Sequence, residues 1–266
     1  MQRSPIPLPP SPRHLVCLLT AVCLSGCDAL EAIQSFEEDS NLIEILATHH
    51  GTPEAGVFPM LGIHDGPRTF ENDLGWTISL AAGYAVVTGA SITSCKGVEV
   101  DLDAIWGHFP EDFTYQDLDT TVVASKRVDA GLYCELHMTL GPYDPNIAGP
   151  SGSQFDRPDD PEVEGTSVYL KGFAEKGDQQ ISFELWSRES FVVDLDLSTI
   201  AADGEPIRVE KENFSEKVTV SKAYDRIFDG VDFATYAPEV FEAELPDRIA
   251  AISHVFPGDG ALPYIQ

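Results

Sequence analysis

The stretch "ATHHGTPEAGVFPMLGIHDGPR" holds the densest group of side chains able to do chemistry: His49, His50 and His64, with Met60 and Asp65 beside the last. Neutral imidazoles bind copper or zinc, and a thioether adds a soft donor for copper(I). Neighbouring residues on a strand point to opposite faces, so His49 and His50 reach one ion only where the strand has ended. Gly51 and Pro53 place that end just after them. No His-Glu-x-x-His spacing is present, and a polar loop with surface histidines accounts for the same residues. The expectation is that His49, His50 and His64 are the candidate ligands of a copper or zinc ion.

A second group lies in "IWGHFPEDFTY", where Trp106, His108 and Tyr115 could form a platform for a sugar, peptide or other apolar ligand. The same rings could instead be core. His137 in "CELHMTL" reads as a surface residue, sharing a strand face with Tyr133 and Glu135. The acidic segment "YDPNIAGPSGSQFDRPDDPEVEG" fails as a calcium-binding EF-hand. Asp144, Asn146 and Gly149 fit positions 1, 3 and 6, but Phe155 stands where a bidentate Glu is required. Ser151 in "GPSGS" lacks the final Gly of a nucleophile elbow. No phosphate loop, dinucleotide fingerprint or Cys-x-x-Cys occurs, which points to a non-enzymatic protein.

The elements that must position these residues read as strands. Trp76, Ile78 and Leu80 alternate, a small-residue interruption follows at Ala81-Ala82-Gly83, and strand residues resume at Tyr84. In "VVDLDL", Val193, Leu195 and Leu197 share one face and Val192, Asp194 and Asp196 the other. "KGFAEKGDQQISFELW" is a hairpin around Lys176-Gly177-Asp178. "LPDRIAAISHVF" reads as a helix opened by Pro246 and Asp247 and closed by Pro257-Gly258. Residues 143–165 form a long loop, a kind usually functional or disordered. Short strands with few helices predict an all-β, antiparallel, Greek-key-like sandwich over 41–266 with a short C-terminal helix.

Cys95 and Cys134 form an even pair beside strand-like sequence, and a disulfide between them is expected. "RVDAGLYCEL" resembles the Val-x-x-Gly-x-Tyr strand start of transthyretin-like domains found in bacterial lipoproteins. It also resembles the immunoglobulin Asp-x-Gly-x-Tyr-x-Cys corner through Asp129, Gly131 and Tyr133. Cys134 follows Tyr133 directly instead of two residues on, which would put it on the opposite face. The resemblance implies a sandwich.

Residues 1–26 carry Arg3 and Arg13, then an apolar run from Leu15 to Leu24, the layout of a secretory signal. The run is too short to cross a bilayer, which takes about 20 apolar residues. Leu24-Ser25-Gly26-Cys27 resembles the bacterial lipoprotein lipobox. That resemblance implies removal of 1–26, diacylation of Cys27 and a bilayer as partner, with 27–40 as a lipidated tether. The location implied is the bacterial cell envelope. The whole chain has 16 basic and 44 acidic residues and a net charge of −28. Such a charge repels nucleic acid and anionic lipid. The expected function is a non-enzymatic, membrane-anchored binding or assembly module for a protein or small molecule; the alternative is a periplasmic metal-handling (copper or zinc) lipoprotein using the loop histidines.

Overall fold

The computed structural model describes residues 41–55, 57–59, 66–211 and 215–260. Its strands are β1 (Asn41–His50), β2 (Arg68–Glu71), β3 (Thr77–Ser94), β4 (Glu99–Ala104), β5 (Phe109–Asp112), β6 (Thr121–Val128) and β7 (Gly131–Leu140). They continue with β8 (Val168–Lys176), β9 (Gln179–Ser187), β10 (Phe191–Asp196), β11 (Ile207–Val209), β12 (Ser215–Ala223) and β13 (Ser253–Pro257). Helix α1 (Pro238–Ile252) precedes β13. The strands run in the order β10-β7-β3-β4-β6-β1-β12-β13, with β2, β5 and β8 on β3, β9 on β8, and β11 on β7. The fold is all-β and sandwich-like: β4 joins the β3 layer to the β6-β1-β12-β13 layer. Inward residues of both layers, such as Ile43, Ile45, Val218 and Val220 against Ile78, Leu170 and Leu136, form one core.

The sandwich is not wholly antiparallel, because β1 runs parallel to β12. That pairing joins strands some 170 positions apart and puts His49 beside Lys222 and His50 beside Ala223. Parallel strands cannot be joined by a tight turn, so nothing local in the sequence announces it.

Bulges reset which residues face inward. The small-residue run does not interrupt β3; the register against β8 steps from Leu80 to Ala82, leaving Ala81 as the extra residue. Inward positions change from Ile78 and Leu80 to Ala85 and Val87, so Tyr84 and Val86 turn to the opposite face. A second shift, at Cys134, turns Tyr133 inward while Glu135 and His137 face out. Tyr133 therefore does not share the face of His137, which instead sits 2.7 Å from Asp194. The Tyr133 hydroxyl donates to the Asp129 carbonyl at 2.9 Å, pinning this corner. Cys95 and Cys134 form the disulfide.

Helix α1 begins eight residues before Pro246, at Pro238, whose missing N–H costs nothing at a helix start. Pro246 lies inside it, and Phe241, Leu245, Ile249 and Ile252 form its buried stripe. The expected helical end, Ser253–Pro257, is strand β13.

The 143–165 segment is packed down. Tyr143 and Val163 cover Tyr84, Val86 and Tyr169 in a second apolar cluster. Phe155 meets Trp106 and Phe109 edge-on at 5.6 and 4.6 Å. At Gly149 a Cβ would lie 1.7 Å from the Ile105 carbonyl oxygen, so only glycine permits this approach.

Candidate functional site

The C-terminal end of β1 splits its two histidines. Both belong to the strand, so they face opposite ways, and they cannot share one ion as expected. His64 and Met60 lie outside the described residues, as does Cys27.

His49 points inward, on the same face as Ile43, Ile45 and Ala47. There it joins a buried polar cluster with Lys222, Glu111, Arg68, Asp117 and Tyr224. Lys222 is fully buried, and its Nζ donates to Glu111 Oε2 at 2.6 Å. Burial pushes the Glu111 carboxyl up, but Lys222 and His49 outweigh it and hold it below the usual carboxylate range. His49 Nδ1 lies 3.5 Å from Glu111 Oε1, too far for a good hydrogen bond. His49 Nε2 is 3.2 Å from the Tyr115 carbonyl, which also accepts from Arg68. Tyr224 donates to both oxygens of Asp117, at 3.2 and 3.1 Å. Burial raises the Asp117 carboxyl despite His49 and Arg68 nearby. These contacts tie β1, β2, β5 and β12 together, a structural task for His49.

His50 points outward. Its Nδ1 lies 2.9 Å from the Gly51 carbonyl and must donate to it, which leaves Nε2 as the unprotonated nitrogen. Nε2 is buried and has no hydrogen-bond partner among the described residues. Burial lowers the His50 pKa, with the Gly51 carbonyl and Asp225 opposing, so the ring is neutral at pH 7. Phe58 stands edge-on to it at 4.7 Å.

The register brings further polar groups to this face. Thr48 is opposite Ser221 across the parallel ladder, and Ser221 is opposite His254 across β12 and β13. Thr48 Oγ1 and Ser221 Oγ are also buried without partners among the described residues. His50 and His254 line one cavity of about 380 Å³, with Thr52, Phe58 and Arg226. Two strand spacings and a two-residue offset put their Cα atoms about 12 Å apart, a span that two imidazoles and one ion can bridge. The Thr52 backbone N–H and hydroxyl each donate to Asp225 at 2.9 Å, fixing the loop over the cavity. The sequence does not single out His254, because "SHVF" continues the expected helix and only the strand β13 sets it across from Ser221.

The expected platform of Trp106, His108 and Tyr115 does not form as a unit. Trp106 packs on Phe155 and donates its indole N–H to the Val122 carbonyl. His108 Nδ1 accepts from the Asp144 backbone at 3.0 Å, and burial lowers its pKa. Tyr115 alone is exposed, at 54%. It lines a second cavity of about 350 Å³ with Tyr84, Phe109, Glu111 and Phe155, rimmed by acidic side chains of the 143–165 segment.

Among the described residues, no group of three or more His, Cys, Asp or Glu gathers as a metal cage. The cavity at the β1 terminus offers two imidazoles, His50 and His254, as metal donors, and neither Thr48 nor Ser221 is in its lining.

No protein-family model matches the chain, and no curated protein matches it. Among solved structures it is similar to MbnP from Methylosinus trichosporium, at 12% identity and a TM-score of 0.39, covering 82% of this chain and 99% of that one.

Proposed function

We propose that this protein is a non-enzymatic, lipid-anchored binding module of the bacterial cell envelope whose ligand is a copper ion held by His50 and His254. One observation carries the reading: the buried His50 Nε2 is deprotonated by its neighbour's geometry and has no partner among the described residues. A carbonyl holding the other ring N–H is the usual means of fixing a metal-ligating imidazole. Leaving such a nitrogen buried and unused costs about 1–3 kcal/mol, a cost that an ion would remove.

The donor count selects the metal. Zinc sites take four ligands, or three and a water, whereas copper(I) is stable between two imidazoles. The copper(I) charge is single, and Asp225, hydrogen-bonded to Thr52 at the cavity edge, offsets it. Support for the location is the basic, apolar and Leu-Ser-Gly-Cys order that ends at Cys27. Two acyl chains hold a protein to a bilayer where one binds marginally.

The test is metal analysis of the mature protein after anaerobic loading and desalting. The expected result is one copper per chain, lost in His50→Ala and His254→Ala and kept in His137→Ala. Copper retained in both cavity variants would refute the reading. Mass spectrometry of membrane-extracted protein checks the anchor, with an unmodified Cys27 thiol as the contrary result.

A further inference from the structure

The second cavity lies on the other side of the β1 terminus and plays no part in the copper reading. Its walls are aromatic: Tyr84, Phe109, Tyr115 and Phe155. Its rim carries Asp112, Asp119, Asp156 and Asp159, against Arg157 as the one Lys or Arg among the described lining residues. At its floor are Glu111 and His49, whose Oε1 and Nδ1 are buried without hydrogen-bond partners among the described residues.

Each feature narrows the ligand. The excess of carboxylates over a single Arg demands positive charge and repels anions. The carboxylates are spread around the mouth and do not converge, and no three of them form a metal cage. A divalent ion needs several oxygens at bonding distance, so a compact metal ion gains little here. Aromatic faces attract organic cations within about 6 Å of the ring centre. The volume, about 350 Å³, suits a small molecule and exceeds what one ion fills.

We propose that this cavity binds a small organic ammonium ion, its hydrocarbon part against Phe109 and Phe155 and its charged end among the rim carboxylates. Packing of the 143–165 segment supports this, because Phe155, Asp156 and Asp159 reach the cavity only while that segment is held down by Tyr143, Val163 and Gly149.

The test is calorimetric titration of the mature protein with n-butylammonium at low ionic strength, with n-butanol and calcium chloride as parallel probes. Saturable one-to-one binding of the ammonium is expected. It should weaken at least tenfold in the Asp156→Asn/Asp159→Asn variant and in Phe155→Ala, and remain unchanged in His50→Ala. The double Asn variant removes only rim charge, so it keeps the test meaningful if Phe155→Ala unfolds. No saturable binding, equal binding of n-butanol, or displacement of the ammonium by stoichiometric calcium would each overturn the proposal. The unchanged His50→Ala result separates this site from the copper site.

Discussion

Replacing Lys222 by Met removes a strong partner of a buried carboxylate, the Glu111 side chain. Lys222 is 0% exposed and Glu111 3%, and the 2.6 Å bond between them is the single short contact of Glu111 with a cation among the described residues. His49, at 3.5 Å, does not replace it. Breaking one side of a buried ion pair costs about 3–5 kcal/mol, a large share of the 5–15 kcal/mol that stabilises a typical domain. At a urea slope of about 2–3 kcal/mol/M, the unfolding midpoint at pH 7.5 should fall by about 1–2 M. The pH dependence supplies the sharper test. In the native protein the Glu111 pKa is depressed, so its stabilisation is present above the unfolded carboxylate range and is lost as pH falls through the lower folded value. Without Lys222, burial dominates and raises that pKa; the variant then regains stability as Glu111 takes up a proton at lower pH. The gap between the two proteins should narrow from pH 7.5 to pH 5. Urea denaturation followed by Trp fluorescence, with the disulfide intact, measures it. A gap under 1 kcal/mol at pH 7.5, or one of equal size at both pH values, would refute the reasoning.

Breaking the disulfide with Cys95→Ala/Cys134→Ala reopens a loop of 39 residues and should cost about 4 kcal/mol, read as a lowered urea midpoint that reductant no longer changes. Tyr133→Phe loses the 2.9 Å bond to Asp129 and should cost about 1 kcal/mol by the same assay. Gly149→Ala forces a methyl into the Ile105 carbonyl, so ammonium binding should drop with little change in circular dichroism. Because the His50 pKa is lowered, the metal-free protein should lose stability as pH falls below the ordinary histidine range and through the lower folded value. His50→Phe should flatten that stretch of the stability–pH curve.

The strands were legible wherever alternation was undisturbed. Trp76, Ile78 and Leu80 are buried, as are Val193, Leu195 and Leu197, and Gly177-Asp178 is the two-residue turn between β8 and β9. Bulges at Ala81 and Cys134 were not legible, because one extra residue reverses inward and outward positions without any change in composition. The paired histidines of β1 were visible and strand alternation alone parts them, but what each meets follows from a parallel partner some 170 positions away. The buried cluster did leave a trace: Lys222 continues the inward positions of Val218 and Val220, and Arg68 that of Phe70. A basic residue on an inward position signals a buried acidic partner, and Glu111 and Asp117 are those partners. The sequence marks a helix start at Pro246, yet helix α1 begins at Pro238, because the stripe of Phe241, Leu245, Ile249 and Ile252 packs on the core and carries Pro246 inside the helix.

The copper site is tested most directly by X-ray absorption of the copper(I)-loaded protein. Two nitrogen scatterers with an imidazole signature are expected, the signal collapsing in both His50→Ala and His254→Ala. A four-coordinate or sulfur-ligated spectrum, or one indifferent to His50, would contradict the assignment.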